Sequence, residues 1–320
     1  MQNPYSNTGW YGSDQQQQQM YANTSYGQGN AYPFIQRRRR RGCISCLVTL
    51  VVLIGVAGAG VGIFFAVTGG NNPLTSLITN SGTQVYERTV ISSNTHPNIV
   101  INNSTGFVRV HAGSAANQIL AEVIGGSNDS GETSLPYTRG SDGQTITIDA
   151  GNIIDGTLDL AVPATSDLKI DTDGIDVVGI RGQMSLTSPA GPITITQSRL
   201  TGTSKLDNNG GPIFAIQDML IGNVTFSNNG GVITFSGSIA PNGKYTFDSN
   251  GSMVDVTLPA TSSFHLDVTG NIDTFTTDFP GIPTSNSFPG AGEIHTNVGH
   301  DYSATVTISL NGGPAVLHKQ

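Results

Sequence analysis

Six histidines, His96, His111, His265, His295, His300 and His318, are the first candidates for chemistry, and no two stand at the short spacing that brings paired imidazoles to one metal ion. Spacing alone therefore predicts no metal site. His265 alternates with Phe264 and Leu266, which turns it toward solvent, while His295 and His300 flank a loop close to Asp301. The densest acidic group is Asp167, Asp171, Asp173 and Asp176. It lacks both the spaced Asp/Asn run ending in Gly and the trailing Glu of a calcium loop, so it reads as a solvated turn bent at Asp173-Gly174.

Covalent chemistry has as little to work with. Beyond residue 83 there is no Gly-x-Ser-x-Gly elbow, no phosphate-cradling glycine loop and no cysteine. Sugar-cleaving β-helices set paired carboxylates and basic groups on one face. Here nine basic residues, Arg88 to Lys319, are scattered singly after the arginine run at 37–41. The sequence offers no catalytic, cofactor-binding or metal residue, and it reads as a non-enzyme.

Anything that positions a site in this chain must be built from strands. From about residue 84 onward, short runs alternate apolar and polar residues between clusters of Gly, Asn, Asp, Ser and Pro, with no helical period. In Leu158, Leu160 and Val162 one face is apolar, and Asp159 and Ala161 point the other way. Similar runs cover 107–110, 145–148, 168–170, 254–258, 264–268 and 305–310.

A repeat organises these runs. LTSPAGPITI from Leu186, LDNNGGPIFAI from Leu206, FSNNGGVITF from Phe226 and FDSNGSMVDV from Phe247 recur at steps of 20, 20 and 21 residues, and ISLNGGPAVL from Ile308 restates the unit. A two-strand unit this small cannot bury its own apolar face, but stacked copies share a continuous core, so an all-β, parallel β-helix or solenoid-like domain is expected over 84–320. Asn209, Asn229 and Asn250 each precede the turn glycine, and in a stack they are expected to hydrogen-bond from one turn to the next. A longer repeat overlays this one, DLAVPATSDLKID from Asp159 and DVTLPATSSFHLD from Asp255, each a strand, a Pro-led turn and a strand.

The motifs VPATSDLKIDTDGIDV at 162–177 and LPATSSFHLDV at 258–268, with the Asn-Gly-Gly turns, resemble the bacterial putative adhesin family, a domain of unknown function, over about residues 100–317. The resemblance implies a bacterial source and a solenoid-like surface domain, often tethered by one membrane helix, and brings no catalytic residues with it. Between 277 and 298 the chain departs from that pattern. Pro280, Pro283 and Pro289 mark an irregular loop that is expected to interrupt the stack.

The tether is legible upstream. Residues 43–67 are uncharged and apolar, and at about 1.5 Å per residue they span roughly 37 Å, enough to cross a bilayer core of about 30 Å. Five arginines at 37–41 precede this run and the next basic residue after it is Arg88, so residues 1–36 are expected in the cytoplasm and the remainder outside the cell. Residues 1–36, rich in Gln, Asn, Gly, Ser and Tyr, read as a disordered tail, and 68–83 as a linker. Cys43 and Cys46 lie at the cytoplasmic end of the helix, open to acylation or an interchain disulfide, which leaves the outer domain without disulfides. Gly58 and Gly62 form a small-xxx-small face suited to a homodimer. Charge divides at the anchor: residues 1–42 carry five arginines against Asp14, while the rest carries 9 basic and 21 acidic residues, which disfavours nucleic acid.

The reading is a single-pass surface protein whose repeat domain serves adhesion, envelope interaction or scaffolding, with a polysaccharide or a protein as partner. An envelope sensor signalling through the helix and a carbohydrate-active β-helix enzyme are the alternatives. A cleaved signal peptide would carry an apolar run of only about 7–15 residues, nearer the N-terminus. Intact-mass measurement of the membrane-extracted native protein is therefore expected to find residues 1–67 still attached, and loss of the first ~70 residues would refute the anchor.

Overall fold

The computed structural model describes residues 88–320, apart from 126, 129–134, 152, 155, 271–274, 283–291 and 301. Among these the regular elements are all strands, and no helix is long and apolar enough to cross a membrane. The expected tail at 1–36, the basic flank and membrane helix at 37–67 with Cys43, Cys46, Gly58 and Gly62, and the linker at 68–83 lie outside the described residues.

Two long ladders of parallel strands carry the fold. The first passes through Thr145–Asp149, the start of Asn98–Ala112, the start of Asp167–Val178, Met184–Ser188, Thr203–Asn208, Asn223–Asn228, Lys244–Asn250, Ala304–Asn311 and Phe264–Gly270. The second passes through Thr157–Val162, the ends of Asn98–Ala112 and Asp167–Val178, then Ile193–Thr196, Ile213–Leu220, Ile233–Ile239, Val254–Leu258, Ala315–Lys319 and Phe275–Thr277. A short third ladder joins Arg181–Gly182, Arg199–Leu200 and the ends of Ile213–Leu220 and Ile233–Ile239.

The alternation seen in the sequence decides which residues enter the core. Leu186, Leu206, Phe226, Phe247 and Ile308, the first apolar residue of each repeat, pair in register as one column, and all five are buried. On the second ladder Ile175, Ile193, Ile213 and Ile233 form a column of identical side chains. β-Branched residues stacked this way stay in their preferred rotamers and fill the pleat. Where the columns turn aromatic, Phe226 and Phe247 stack with ring centroids 5.0 Å apart and 9° between planes, and Phe235 tilts against both.

The turns repeat as faithfully. The Asn229 amide donates to Asn209 Oδ1 at 2.8 Å, Asn250 to Asn229 at 2.6 Å and Asn311 to Asn250 at 2.9 Å, giving the expected chain of side-chain bonds and extending it by one residue. A second asparagine column is buried one residue earlier in the chain. Asn228 donates to Gly211 O at 2.8 Å and accepts from Gly231 N at 2.9 Å, and Asn208 holds Gly191 O and Gly211 N in the same way. The glycine that follows must be bare, because a Cβ on Gly231 would lie 1.9 Å from the carbonyl oxygen of Gly211. At Asp173-Gly174 the structure differs from the expected solvated turn: Asp167–Val178 is one unbroken strand that bends from the first ladder into the second, with Gly174 packed against the Phe107 ring.

Spatial order departs from chain order at both ends. Thr157–Val162 and Asp167–Val178 are joined by the turn at Pro163, yet each pairs with Asn98–Ala112, which lies between them. The second copy of the 13-residue repeat does the same. The strands on either side of Pro259 belong to layers separated by Ala304–Asn311 and Ala315–Lys319. Backbone bonds tie the inserted segments to these turns, Asp167 N to Pro97 O at 3.0 Å and Ala260 N to Gln320 O at 2.8 Å. The 13-residue repeat therefore marks two places where the chain steps over a one-layer gap that a distant segment fills.

Antiparallel strands cover the terminal layers. Gln118–Ile124 pairs with Thr157–Val162 and Tyr137–Arg139 with Thr145–Asp149 at one end, and Ile294–Val298 pairs with Phe264–Gly270 at the other. The departure expected at 277–298 is thus the return path by which the chain reaches its inserted penultimate layer. Part of it, 283–291, lies outside the described residues.

The two asparagine columns should differ in weight. Asn228→Ala orphans a buried N–H and a buried C=O and is expected to cost about 2–4 kcal/mol in urea unfolding, whereas Asn229→Ala, exposed, should cost less than about 1 kcal/mol.

Candidate functional site

The outward side chains of the ladders are also in register, so each face is a grid whose rows are about 4.8 Å apart. On the first ladder Lys205, Thr225, Thr246, Thr307 and Asp267 form one outward column, and Asp207, Ser227, Asp248, Ser309 and Thr269 the next. The grid is almost wholly hydroxyl and carboxylate. On the second ladder the outward column Thr194, Phe214, Thr234, Asp255 and Val316 is mixed, and Ile216 is exposed.

Histidines sit in these grids beside carboxylates. His111 approaches Asp159 at 3.3 Å, and the hydrogen bond with that carboxylate raises the imidazole's pKa. His318 Nδ1 lies 2.8 Å from Asp278, which holds that carboxyl below its ordinary range. Arg109 Nε donates to Asp176 at 3.1 Å, and Asp167 accepts from Gln183 N at 2.7 Å, so these two members of the acidic quartet are engaged with separate partners.

One cluster was hidden from sequence spacing. Asp267 Oδ1 lies 3.0 Å from His265 Nε2 and 2.7 Å from His295 Nδ1, and among the described residues this is the group of three that could hold a metal ion, its ligand atoms all within 4.8 Å of one another. The antiparallel pairing sets it, since Asp267 faces His295 and His265 faces Asn297 across Phe264–Gly270 and Ile294–Val298. His265 is half-exposed, in keeping with its expected outward orientation. His295 meets Asp267 and Glu293, and these carboxylates raise its pKa; His300 contributes its backbone N–H to Ser263 Oγ. Asp301 lies outside the described residues.

A buried acid stands apart from the surface. Asp218 is 2% exposed at a corner between the second and third ladders and accepts from Ser198 N at 2.6 Å, while its Oδ2 has no hydrogen-bond partner among the described residues. Burial outweighs the backbone N–H and pushes its pKa up to about 7. No spacing rule signals such a residue, because its burial depends on which strands pair on either side of it. The preceding Gln217 has φ 59° at a register shift, so the chain bulges here and turns Asp218 inward.

No family model and no curated protein matches the chain. Among solved structures it is similar to a putative cell adhesion protein from Clostridium sporogenes, with 12% identity and a TM-score of 0.32 over 73% of this chain and 99% of that one. It is also similar to a putative adhesin from Bacteroides fragilis, with 11% identity and a TM-score of 0.30 over 74% and 97% of the two chains. A putative adhesin from Parabacteroides distasonis matches at 8% identity and a TM-score of 0.28 over 73% and 98%.

Asp218 gives the fold a pH dependence of known sign. With its pKa raised from 3.8 to about 7, the folded state holds a proton that the unfolded chain releases, so stability falls as pH rises through that window. The contribution is about 4 kcal/mol between pH 4 and 7. Asp218→Asn keeps an acceptor for Ser198 N and is expected to flatten the profile by about that amount in denaturant unfolding from pH 4 to 8; an unchanged slope would show that the carboxyl titrates normally.

Proposed function

We propose that the ladders are the faces of a β-solenoid displayed outside the cell by a single-pass anchor, and that it acts as a non-enzymatic surface for adhesion, envelope interaction or scaffolding. The observation that carries this reading is the hydroxyl and carboxylate grid of the first ladder. Thr225, Thr246 and Thr307 present the same group three times in register, with Ser227, Asp248 and Ser309 beside them. Such a grid is matched by an extended polar polymer, whose own repeated hydroxyls make many weak hydrogen bonds at once. Affinity then comes from number, because a single exposed hydrogen bond contributes only about 1 kcal/mol. A cell-surface polysaccharide fits this better than a folded protein, since among the described residues none of the exposed large hydrophobic side chains, Val90, Tyr137, Ile216, Val232 and Tyr302, lies in these two columns. Two stabilised asparagine columns and a continuous core keep the rows rigid, which spares the ordering cost of binding.

The test is binding of the detergent-solubilised full chain to a cell-wall polysaccharide panel. Retention without release of fragments is expected. The triple variant Thr225→Val, Thr246→Val, Thr307→Val keeps strand propensity and shape and should bind at least tenfold more weakly, with little change in melting temperature. Equal retention by the variant would remove the grid from the mechanism, and release of soluble sugars would point instead to an enzyme.

A further inference from the structure

We propose that His265, Asp267 and His295 bind a divalent transition-metal ion of the zinc class at the last layer of the first ladder. The site does not depend on the polysaccharide reading. Three donors converge from two strands: His265 Nε2 and His295 Nδ1 both point at Asp267 Oδ1, at 3.0 and 2.7 Å. Tetrahedral ligands around zinc lie about 3.3 Å apart, so Asp267 must open from His265 by about 0.3 Å and from His295 by about 0.6 Å, and the three ligand atoms already lie within 4.8 Å of one another.

The second observation is what stands behind the ligands. The ring nitrogen of His265 that faces away from Asp267, Nδ1, lies 2.8 Å from Asn297 Oδ1, and the corresponding nitrogen of His295, Nε2, lies 3.2 Å from Glu293 Oε2. Each imidazole thus has an oxygen acceptor for its outer N–H and a lone pair free to face the centre. This is the outer-shell pattern that fixes tautomer and ring orientation in metal-binding histidines.

The backbone holds the arrangement firmly. Phe264–Gly270 is paired on one side with Ala304–Asn311 and on the other with Ile294–Val298. The donor set selects the ion: two imidazoles and one carboxylate suit zinc, cobalt, nickel or copper, whereas calcium and magnesium require mostly oxygen ligands. The histidine side chains are 40% and 54% exposed, so further positions on the ion open to solvent, as in sites that retain water or accept an outside ligand.

The experiment is zinc titration by calorimetry on the full chain in detergent after chelator treatment, with cobalt substitution followed by visible absorption. One zinc per chain and cobalt bands of a four- or five-coordinate site are expected, with no calcium heat. His265→Ala with His295→Ala should abolish both signals, and Glu293→Gln, which leaves every ligand in place, should weaken zinc binding ten- to a hundredfold. Absence of zinc heat in the parent chain would overturn the proposal, as would binding that persists in the double variant and so belongs to the other histidines. Circular dichroism of each variant establishes that the strands are retained, and Asp267→Asn, a near-isosteric change, provides a second ligand test.

Discussion

Parallel backbone pairing at a step of about 20 residues is the constraint from which the rest follows. A parallel ladder fixes register strand by strand, so a residue's neighbours above and below are its counterparts in other repeats. Inward positions are then mostly apolar, as in the column Leu186, Leu206, Phe226, Phe247 and Ile308, and Ser204, buried in register with Val224, satisfies its hydroxyl on Met184 N and Thr201 O. Turn positions must satisfy the same backbone groups each time, which Asn208 and Asn228 do from within. Outward positions are released from the core and free to repeat a chemical motif. One hydrogen-bonding pattern thus sets the core, the corners and the surface together.

A stack held by such a ladder has ends, and its ends are its hazard. An uncovered edge offers unpaired N–H and C=O groups to any other chain. Here the terminal layers meet antiparallel strands, and the penultimate layers are supplied by distant parts of the sequence, Asn98–Ala112 and Ala304–Asn311 with Ala315–Lys319. Closing these gaps joins residues far apart in the chain, so the ends cannot zip up by simple propagation from the middle. The cost is loop entropy during folding. The gain is that the terminal strands Thr145–Asp149, Thr157–Val162 and Phe264–Gly270 are each paired along both edges.

Much of this is legible in the amino-acid sequence. The 20-residue step placed Phe226 over Leu206 and the asparagines over one another, because periodicity reports the register of a parallel ladder directly. ISLNGGPAVL at 308–317 was recognisable as a further copy, and it pairs with the layer of Phe247 and Val254. What could not be read was anything set by non-sequential pairing. The Pro163 and Pro259 turns look like ordinary connections, and nothing local shows that a third strand separates their arms. The same blindness hid the His265, Asp267 and His295 cluster, since spacing rules concern one strand and this group spans two. Asp218 was invisible for a related reason: an acid beside an apolar run looks solvated until a bulge turns it inward.

The insertion of Asn98–Ala112 between two layers changes how the molecule would answer to tension. A pull applied at Arg88 first loads Thr89–Ser92, which among the described residues is zipped to Gln118–Ile124 alone, and next reaches a strand bonded along both of its edges. An outermost strand can be peeled away one bond at a time. A strand sandwiched in this way must shear two ladders at once, so the load is shared among many bonds. The topology that sets strand order against chain order therefore also makes a mechanical clamp close to Arg88.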